Sequence, residues 1–232
     1  MKSFIAFVSL LLTVIVLNSC AQKNPSAENK SAPAVSSAKL SDEELAKKYH
    51  QATFAEGCFW HAEAVFESVK GVQEAVSGYA GGTTKNPTYE DVGTETTGHA
   101  ETVNVYYDSS VIDYPTLLKV FFASQDPTQV NGQGPDLGSS YRSIAFYRNA
   151  TEKKEIEDYI ANLTASGKYN KPIATQVVPF TVFWRAEDYH QDYIQHHPTG
   201  NPYVENVSIP DVKEFQAKFP ELIKPDRNLL AK

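Results

Sequence analysis

The chain has 232 residues and a formal charge of −7 at neutral pH, with Lys and Arg spread rather than massed. That balance excludes the basic patch on which nucleic-acid binding rests. Hydrophobic residues at 41% and aromatics at 12% supply one folded domain with a real core and the means to line a pocket.

The amino terminus comes first in chain order. Lys2 supplies a positive charge, and Phe4 to Leu17 is an apolar run broken only by Ser9 and Thr13. The run is too short to cross a bilayer as a helix and fits the apolar stretch of an export signal. It ends in Leu17-Asn18-Ser19-Cys20, which resembles a bacterial lipoprotein box, with Cys20 as the lipidated residue. The alternative is an ordinary secretory signal followed by a chance cysteine. Residues 20–40 are rich in Ala, Ser, Asn, Lys and Pro and cannot bury enough apolar surface to offset ordering. The expected organisation is a signal at 1–19, a lipid-anchored flexible tether at 20–40 and a folded domain at 41–232. The expected location is the envelope of a bacterium, on the periplasmic side or the cell surface. Cys20 and Cys58 are the only two cysteines. If Cys20 carries lipid, Cys58 has no disulfide partner, and a lone thiol in an oxidising compartment needs a reason.

Ser41 followed by Glu44 predicts a capping box and a helix over 42–48. Gln51 to Ala55 reads as a strand. From Phe59 the pattern turns helical, with Ala62, Val65, Phe66 and Val69 on one face and Gly71 as the stop. Val72 to Tyr79 reads as a strand leading into the turn-rich "GYAGGTTKNPTY". Glu101 to Tyr107 alternates, with Val103, Val105 and Tyr107 on one face. Asp113 and Pro115 open a helix carrying Leu117, Leu118 and Phe121. A loop is expected over about 126–140, then a strand from Ser143 to Tyr147. Thr151 is the expected cap of a helix with Ile156, Tyr159, Ile160 and Leu163 on its inner face. Strands follow at Ile173 to Val178 and Phe180 to Trp184, then a helix over "AEDYHQDYIQHH" and a last one over "DVKEFQAKF". This strand–helix–strand order, repeated after a long loop, predicts the α+β class: a two-layer α/β sandwich with a ferredoxin-like, split β-α-β core and long loops.

Cys58 stands where the first strand gives way to a helix. There the free N–H groups and the positive end of the dipole favour thiolate over thiol, and Gly57 permits the tight turn. The opposite reading of such a residue is an inert core cysteine. Gly57-Cys58-Phe59-Trp60 resembles the active-site signature of A-type peptide methionine sulfoxide reductases. "SGYAGGTTKNPTYEDV", "TGHAETVNVYYD", "GPDLGSSYRS", "AEDYHQDY" and "ENVSIP" resemble segments of the same family in the same order, covering roughly residues 50 to 220.

The resemblance implies thiol-dependent reduction of methionine-S-sulfoxide, in proteins and as the free amino acid. Cys58 is then the nucleophile and Glu101 the acid that protonates the departing oxygen, held neutral by a desolvated setting. Tyr89 and Tyr141 are the phenols that hydrogen-bond the sulfoxide oxygen, and Asp136 an aspartate near the pocket tied to orientation and to the later reduction step. Phe59 and Trp60 hold the S-methyl group. On residue type alone, Glu101 is a surface carboxylate, the tyrosines loop residues and the aromatics core. His61 departs from the glycine common in the family and reads as a variation near the rim, while His99 and His190 take supporting roles.

No cysteine follows Cys58, so a cysteine sulfenic acid would be reduced directly by an external thiol: thioredoxin, glutaredoxin or a small thiol. No resident cofactor is implied. Without a Cys-x-x-Cys pair, and with His196 and His197 adjacent rather than four apart, the residues give no metal site. Two other readings are a different cysteine enzyme, a thiol peroxidase or Cys-His hydrolase, and a non-catalytic lipoprotein that kept the fold for binding. Cys58→Ser would abolish turnover but spare simple binding.

Overall fold

The computed structural model describes residues 39–231. The predicted signal, Cys20 and the tether up to residue 38 lie outside them. No helix among the described residues is long and apolar enough to cross a membrane.

Helix α1 (Asp42–Lys48) opens with the expected box: Ser41 Oγ accepts from the Glu44 amide at 3.4 Å, and the Glu44 carboxylate accepts from the Ser41 amide at 2.8 Å. Strand β1 (His50–Glu56), helix α2 (Phe59–Glu67) and strand β2 (Val72–Ala80) follow, then short α3 (Tyr89–Gly93), strand β3 (Ala100–Tyr107) and helix α4 (Tyr114–Ala123). Two-residue strands β4 (Gly132–Gln133) and β5 (Asp136–Leu137) form a hairpin inside the segment expected as loop. Strand β6 (Ser143–Tyr147), long helix α5 (Ala150–Ala165), strands β7 (Gln176–Pro179) and β8 (Phe183–Arg185), α6 (Tyr193–His196) and α7 (Ile209–Lys218) complete the chain.

The main sheet runs β7-β6-β1-β3-β2-β8, antiparallel at every pairing but β6–β7. Its two edge strands are consecutive in sequence, joined only by residues 180–182. The four Cα steps from Pro179 to Phe183 reach at most about 14 Å, whereas five strand spacings of a flat sheet measure about 24 Å. The sheet therefore curls until its edges approach each other. That curl explains why β7 and β8 are shorter than their apolar runs suggest: the chain has to leave one edge and reach the other.

One face of the sheet carries the main core. Phe54 of β1 stacks on Phe66 of α2, with centroids 5.3 Å apart, and on Phe121 of α4 at 4.9 Å. Val103 and Val105 of β3 join the same cluster with Leu117 and Leu118. Truncating a fully buried Phe such as Phe54 to Ala costs about 3–5 kcal/mol. All of β3 is buried, although alternation alone would leave one face to water. Its second face is closed by Leu45 of α1 against Tyr106, and by Asn104 Oδ1, which accepts from Thr53 at 2.8 Å and Arg148 at 3.0 Å.

Two expectations need correction. The cap of α5 is Asn149 rather than Thr151: its Oδ1 accepts from the Glu152 amide at 3.0 Å. The stretch "AEDYHQDYIQHH" is not one helix. It is a 3₁₀ turn (Asp188–His190) and the four-residue α6, separated by Asp192 at φ +53°. The cause is tertiary. Buried Gln191 donates to the carbonyls of Ser77 and Ala186 at 3.0 and 3.1 Å, and accepts from the Ser77 amide at 3.1 Å, strapping this segment to β2.

Candidate active site

Cys58 is the N-cap of α2, half-buried, with φ −57° and ψ +121°. Gly57 before it sits at φ +95°, and a Cβ there would lie 2.6 Å from Gln133 Cβ of the β4–β5 hairpin. Only glycine lets β1 turn into α2 with the hairpin packed that close. The carbonyl of Cys58 accepts from the amides of His61 and Ala62, which starts the helix. The next amide, Phe59 N–H, donates to Glu101 Oε2 at 2.9 Å. Glu101 reaches it because the register of β3 pairs it with Tyr79 and turns it to the same face as Val103, under the first turn of α2. That leaves Oε1 to carry a proton.

Glu101 is 3% exposed. Burial pushes its carboxyl up to about 8, against the Phe59 hydrogen bond, with the Asp136 and Glu95 charges adding to the rise. At neutral pH it is a carboxylic acid. The thiol departs from the sequence expectation. Burial and then the Glu101 carboxyl push Cys58 up from its ordinary value, and the amides of Trp60 and His61 pull it down by less. The helix terminus is present, but in a densely packed setting it does not make the thiol acidic. Cys58 rests as a thiol.

A cavity of about 130 Å³ gathers Cys58, Phe59, Trp60, Tyr89, Glu101, Asp136 and Tyr141, together with Tyr203. The catalytic and substrate-binding residues expected from the sequence therefore line one cavity, while His61, His99 and His190 lie outside it. Trp60 is fixed by its indole N–H, which donates to His190 Nδ1 at 3.0 Å, and by stacking on Tyr193 with centroids 3.7 Å apart. Phe59, 1% exposed, backs the wall, packed on Tyr79 and His190. Tyr89 is the first residue of α3, capped by Thr88. Its amide donates to Glu187 at 3.0 Å, and the other Glu187 oxygen takes the Tyr79 hydroxyl at 2.9 Å. Tyr141 closes a 3₁₀ turn (Ser139–Tyr141) that Glu95 holds down, accepting from both serine hydroxyls at 2.6 Å and from the Ser140 amide at 2.9 Å. The hydroxyls of Tyr89 and Tyr141 are hydrogen-bonded, and burial pushes both phenols up, so both keep their protons. His99 accepts from the Gly82 amide at 3.1 Å and meets the Thr84 carbonyl at 2.7 Å, shaping the turn before Tyr89.

Asp136 stands at the start of β5 and accepts from the Tyr203 hydroxyl. Burial pushes its carboxyl up, against that bond. Tyr203 directly precedes a π-helical turn (Val204–Ser208) that runs into α7, an irregularity frequent at functional sites. Its hydroxyl also lies within hydrogen-bonding reach of Cys58.

Comparison with known proteins agrees with this geometry. The family described as "Peptide methionine sulfoxide reductase" matches residues 50–222. The chain belongs to the peptide methionine sulfoxide reductase family. It is 47% identical over 173 residues to "Peptide methionine sulfoxide reductase MsrA" of Saccharolobus solfataricus, covering 75% of this chain and 96% of that protein. It is 45% identical over 174 residues to the protein of the same name from Thermus thermophilus, covering 75% and 97%. Among solved structures, reduced Mxr1 from Saccharomyces cerevisiae superposes with a TM-score of 0.61 at 32% identity, covering 67% of this chain and 89% of that one. "Methionine sulfoxide reductase A of Corynebacterium diphtheriae" gives 0.58 at 32%, covering 65% and 76%. The protein is thus an oxidoreductase that reduces methionine sulfoxide.

Three parts of this reductase site escape a sequence reading. Tyr203, more than 60 residues beyond the other cavity residues, carries no local signal. Glu187 and Glu95 look like surface carboxylates, yet they hold the two phenol-bearing turns. For cations, the carboxylates of Glu67, Glu74 and Asp192 come within 4.8 Å of one another, but Glu67 already accepts from Arg227 at 3.0 Å and Gln195 at 2.6 Å, and none of the three lines the cavity.

Proposed function

We propose that this cleft reduces methionine-S-sulfoxide, in proteins and as the free amino acid, through a sulfenic acid on Cys58. One observation carries the reading: a cysteine sulfur, a carboxyl that is protonated at neutral pH and two paired phenols share a single aromatic-walled cavity. The sulfoxide oxygen sits among Tyr89, Tyr141 and Glu101, and its S-methyl group packs on Trp60 with Phe59 behind. Glu101 Oε1 delivers its proton to the oxygen, which makes the sulfoxide sulfur electrophilic. Cys58 Sγ attacks that sulfur as its own S–H proton passes to the carboxyl, and the new sulfur–sulfur bond then breaks as the hydroxyl moves to Sγ, its electron pair staying on the methionine sulfur. The products are methionine and Cys58–S–OH, and the oxygen atom and both protons are accounted for. Asp136, tied to Tyr203, orients this side of the cleft. Because the thiol is not acidic at rest, the proton exchange through Glu101 replaces a preformed thiolate. The S handedness comes from family likeness alone.

The same reading takes the chain as an exported lipoprotein anchored through Cys20, with residues 41–232 as the catalytic domain repairing oxidised envelope proteins. The core order β6-β1-β3-β2, all antiparallel, supports the ferredoxin-like assignment. Cys58 is the only cysteine among the described residues, which favours direct reduction by thioredoxin, glutaredoxin or a small thiol over an internal disulfide. The test is a single turnover without reductant. One equivalent of methionine should be released, and mass spectrometry should find Cys58 carrying one added oxygen. A stable intramolecular disulfide, or no methionine, contradicts the mechanism.

A further inference from the structure

Cys58 faces two cavities. Besides the aromatic cleft, a second chamber of about 60 Å³ reaches it, sharing only Cys58, Asp136 and Tyr203 with the first. This second chamber has no aromatic platform beyond Tyr203. It is lined instead by Glu56, His61, Ser124, Gln133, Ser208 and Asp211. Ser208, 1% exposed, keeps its Oγ without a hydrogen-bond partner, and His61, 8% exposed, lines the same chamber with its Nε2 on the Ser124 carbonyl. A buried polar atom left unpaired is rare and calls for an explanation. The chamber adjoins an outer vestibule of about 190 Å³ through the shared Ser124, Gln133 and Asp211. The vestibule adds Asp126, Glu214 and Lys218, of which the last two form an ion pair at 2.7 Å. The whole passage is therefore lined by acidic groups, with its one lysine already neutralised.

We propose that this passage is the route of the electron donor, admitting a neutral or cationic small thiol to the side of Cys58 away from the sulfoxide cleft. This rests on the sulfenic acid reading above. The chemistry requires two sides. Displacement at sulfur is in line, with the attacking sulfur opposite the departing oxygen. That oxygen is left in the aromatic cleft beside Glu101, so the attacker arrives from elsewhere, and the second chamber is another cavity that Cys58 lines. The first thiol, R–SH, bonds to Cys58 Sγ, and the S–O bond breaks. The thiol has given its proton to solvent, the departing oxygen takes a proton from Glu101, and water leaves. A second R–SH attacks the donor sulfur of the mixed disulfide. R–S–S–R departs, and the two protons the thiols gave up return one to Cys58 and one to Glu101, so both end as they began. Two thiols are oxidised by two electrons in all, and the sulfenic acid is reduced by two. His61 lines this chamber as a neutral ring: its Nε2 donates to the Ser124 carbonyl at 3.1 Å, and burial lowers its pKa, against the pull of the Ser124 and Ser208 backbone.

The test loads the full chain with one equivalent of methionine sulfoxide, then mixes it with cysteamine, mercaptoethanol or mercaptoacetate. Rates are expressed per thiolate and compared between wild type, Asp211→Asn and Asp211→Lys. Asp211 is exposed in the first turn of α7, and circular dichroism of both variants checks that they keep the fold. The preference for cysteamine over mercaptoacetate should fall roughly threefold in Asp211→Asn and roughly tenfold in Asp211→Lys, the scale of one and two charges several ångströms away in water. A preference unmoved in both variants, with one equivalent of methionine released on loading, overturns the donor route alone. Failure to release methionine on loading overturns the sulfenic acid reading and this route with it.

Discussion

Replacing Glu101 by Gln separates the acid from its shape. The amide keeps an oxygen for the Phe59 N–H, which now donates to the carboxyl at 2.9 Å, but it has no proton to give near neutral pH. A positioned general acid is worth about a hundredfold to ten-thousandfold, and kcat/KM for methionine sulfoxide should fall within that range. The same substitution has a stability signature. The folded chain holds the Glu101 proton up to about pH 8, whereas an unperturbed carboxyl loses it near 4.5. Across that window the folded state binds more protons than the unfolded one, so wild-type stability falls as pH rises through it. At about 1.4 kcal/mol per pH unit the loss amounts to roughly 5 kcal/mol as an upper limit. Glu101→Gln removes this loss. The measurement is denaturant unfolding of both proteins from pH 4.5 to 9, beside the pH profile of kcat/KM. The stability difference should move steadily in favour of the variant, and the wild-type alkaline limb near 8 should vanish. Because Cys58 and Glu101 influence one another, that limb belongs to the pair. A variant that keeps both the limb and most of its activity would refute the assignment of Glu101, as would a stability difference independent of pH.

Gly57→Ala places a Cβ 2.6 Å from Gln133 Cβ at φ +95°. It should cost about 2–4 kcal/mol in chemical denaturation and lower kcat by shifting both the thiol and the hairpin that carries Asp136. Glu95→Ala cuts the three bonds that hold the Ser139–Tyr141 turn. Stability should drop by about 1–2 kcal/mol, and kcat should fall more than KM rises, because Tyr141 loses its place beside Tyr89. An unchanged kcat in Glu95→Ala would show that the turn holds itself.

What the sequence makes legible here is what local chemistry dictates. The Ser41–Glu44 box, the apolar face of α2 and the glycine-cysteine turn are all properties of a few neighbouring residues, and each appears where expected. Val103, Val105 and Tyr107 do share the core face of β3, which also fixes the side on which Glu101 emerges. Tertiary bonding explains the misses. Gln191 gives its whole side chain to β2, and a helical pattern breaks at Asp192. Tyr203 reaches Cys58 only because α7 packs back on α2. The thiol was expected to be acidic because a helix terminus is visible in sequence, whereas the crowding that opposes it is not.

The Phe59 amide that opens α2 is bound by the carboxyl facing Cys58, so one short stretch of backbone fixes the distance between sulfur and acid. Each group raises the energy of the other's anion. Near neutrality the pair therefore accommodates no net ionisation, and hydrogen nuclei are exchanged inside the cleft rather than with bulk water. Below the alkaline limb near pH 8, the sulfoxide half of the cycle should accordingly run without buffer catalysis.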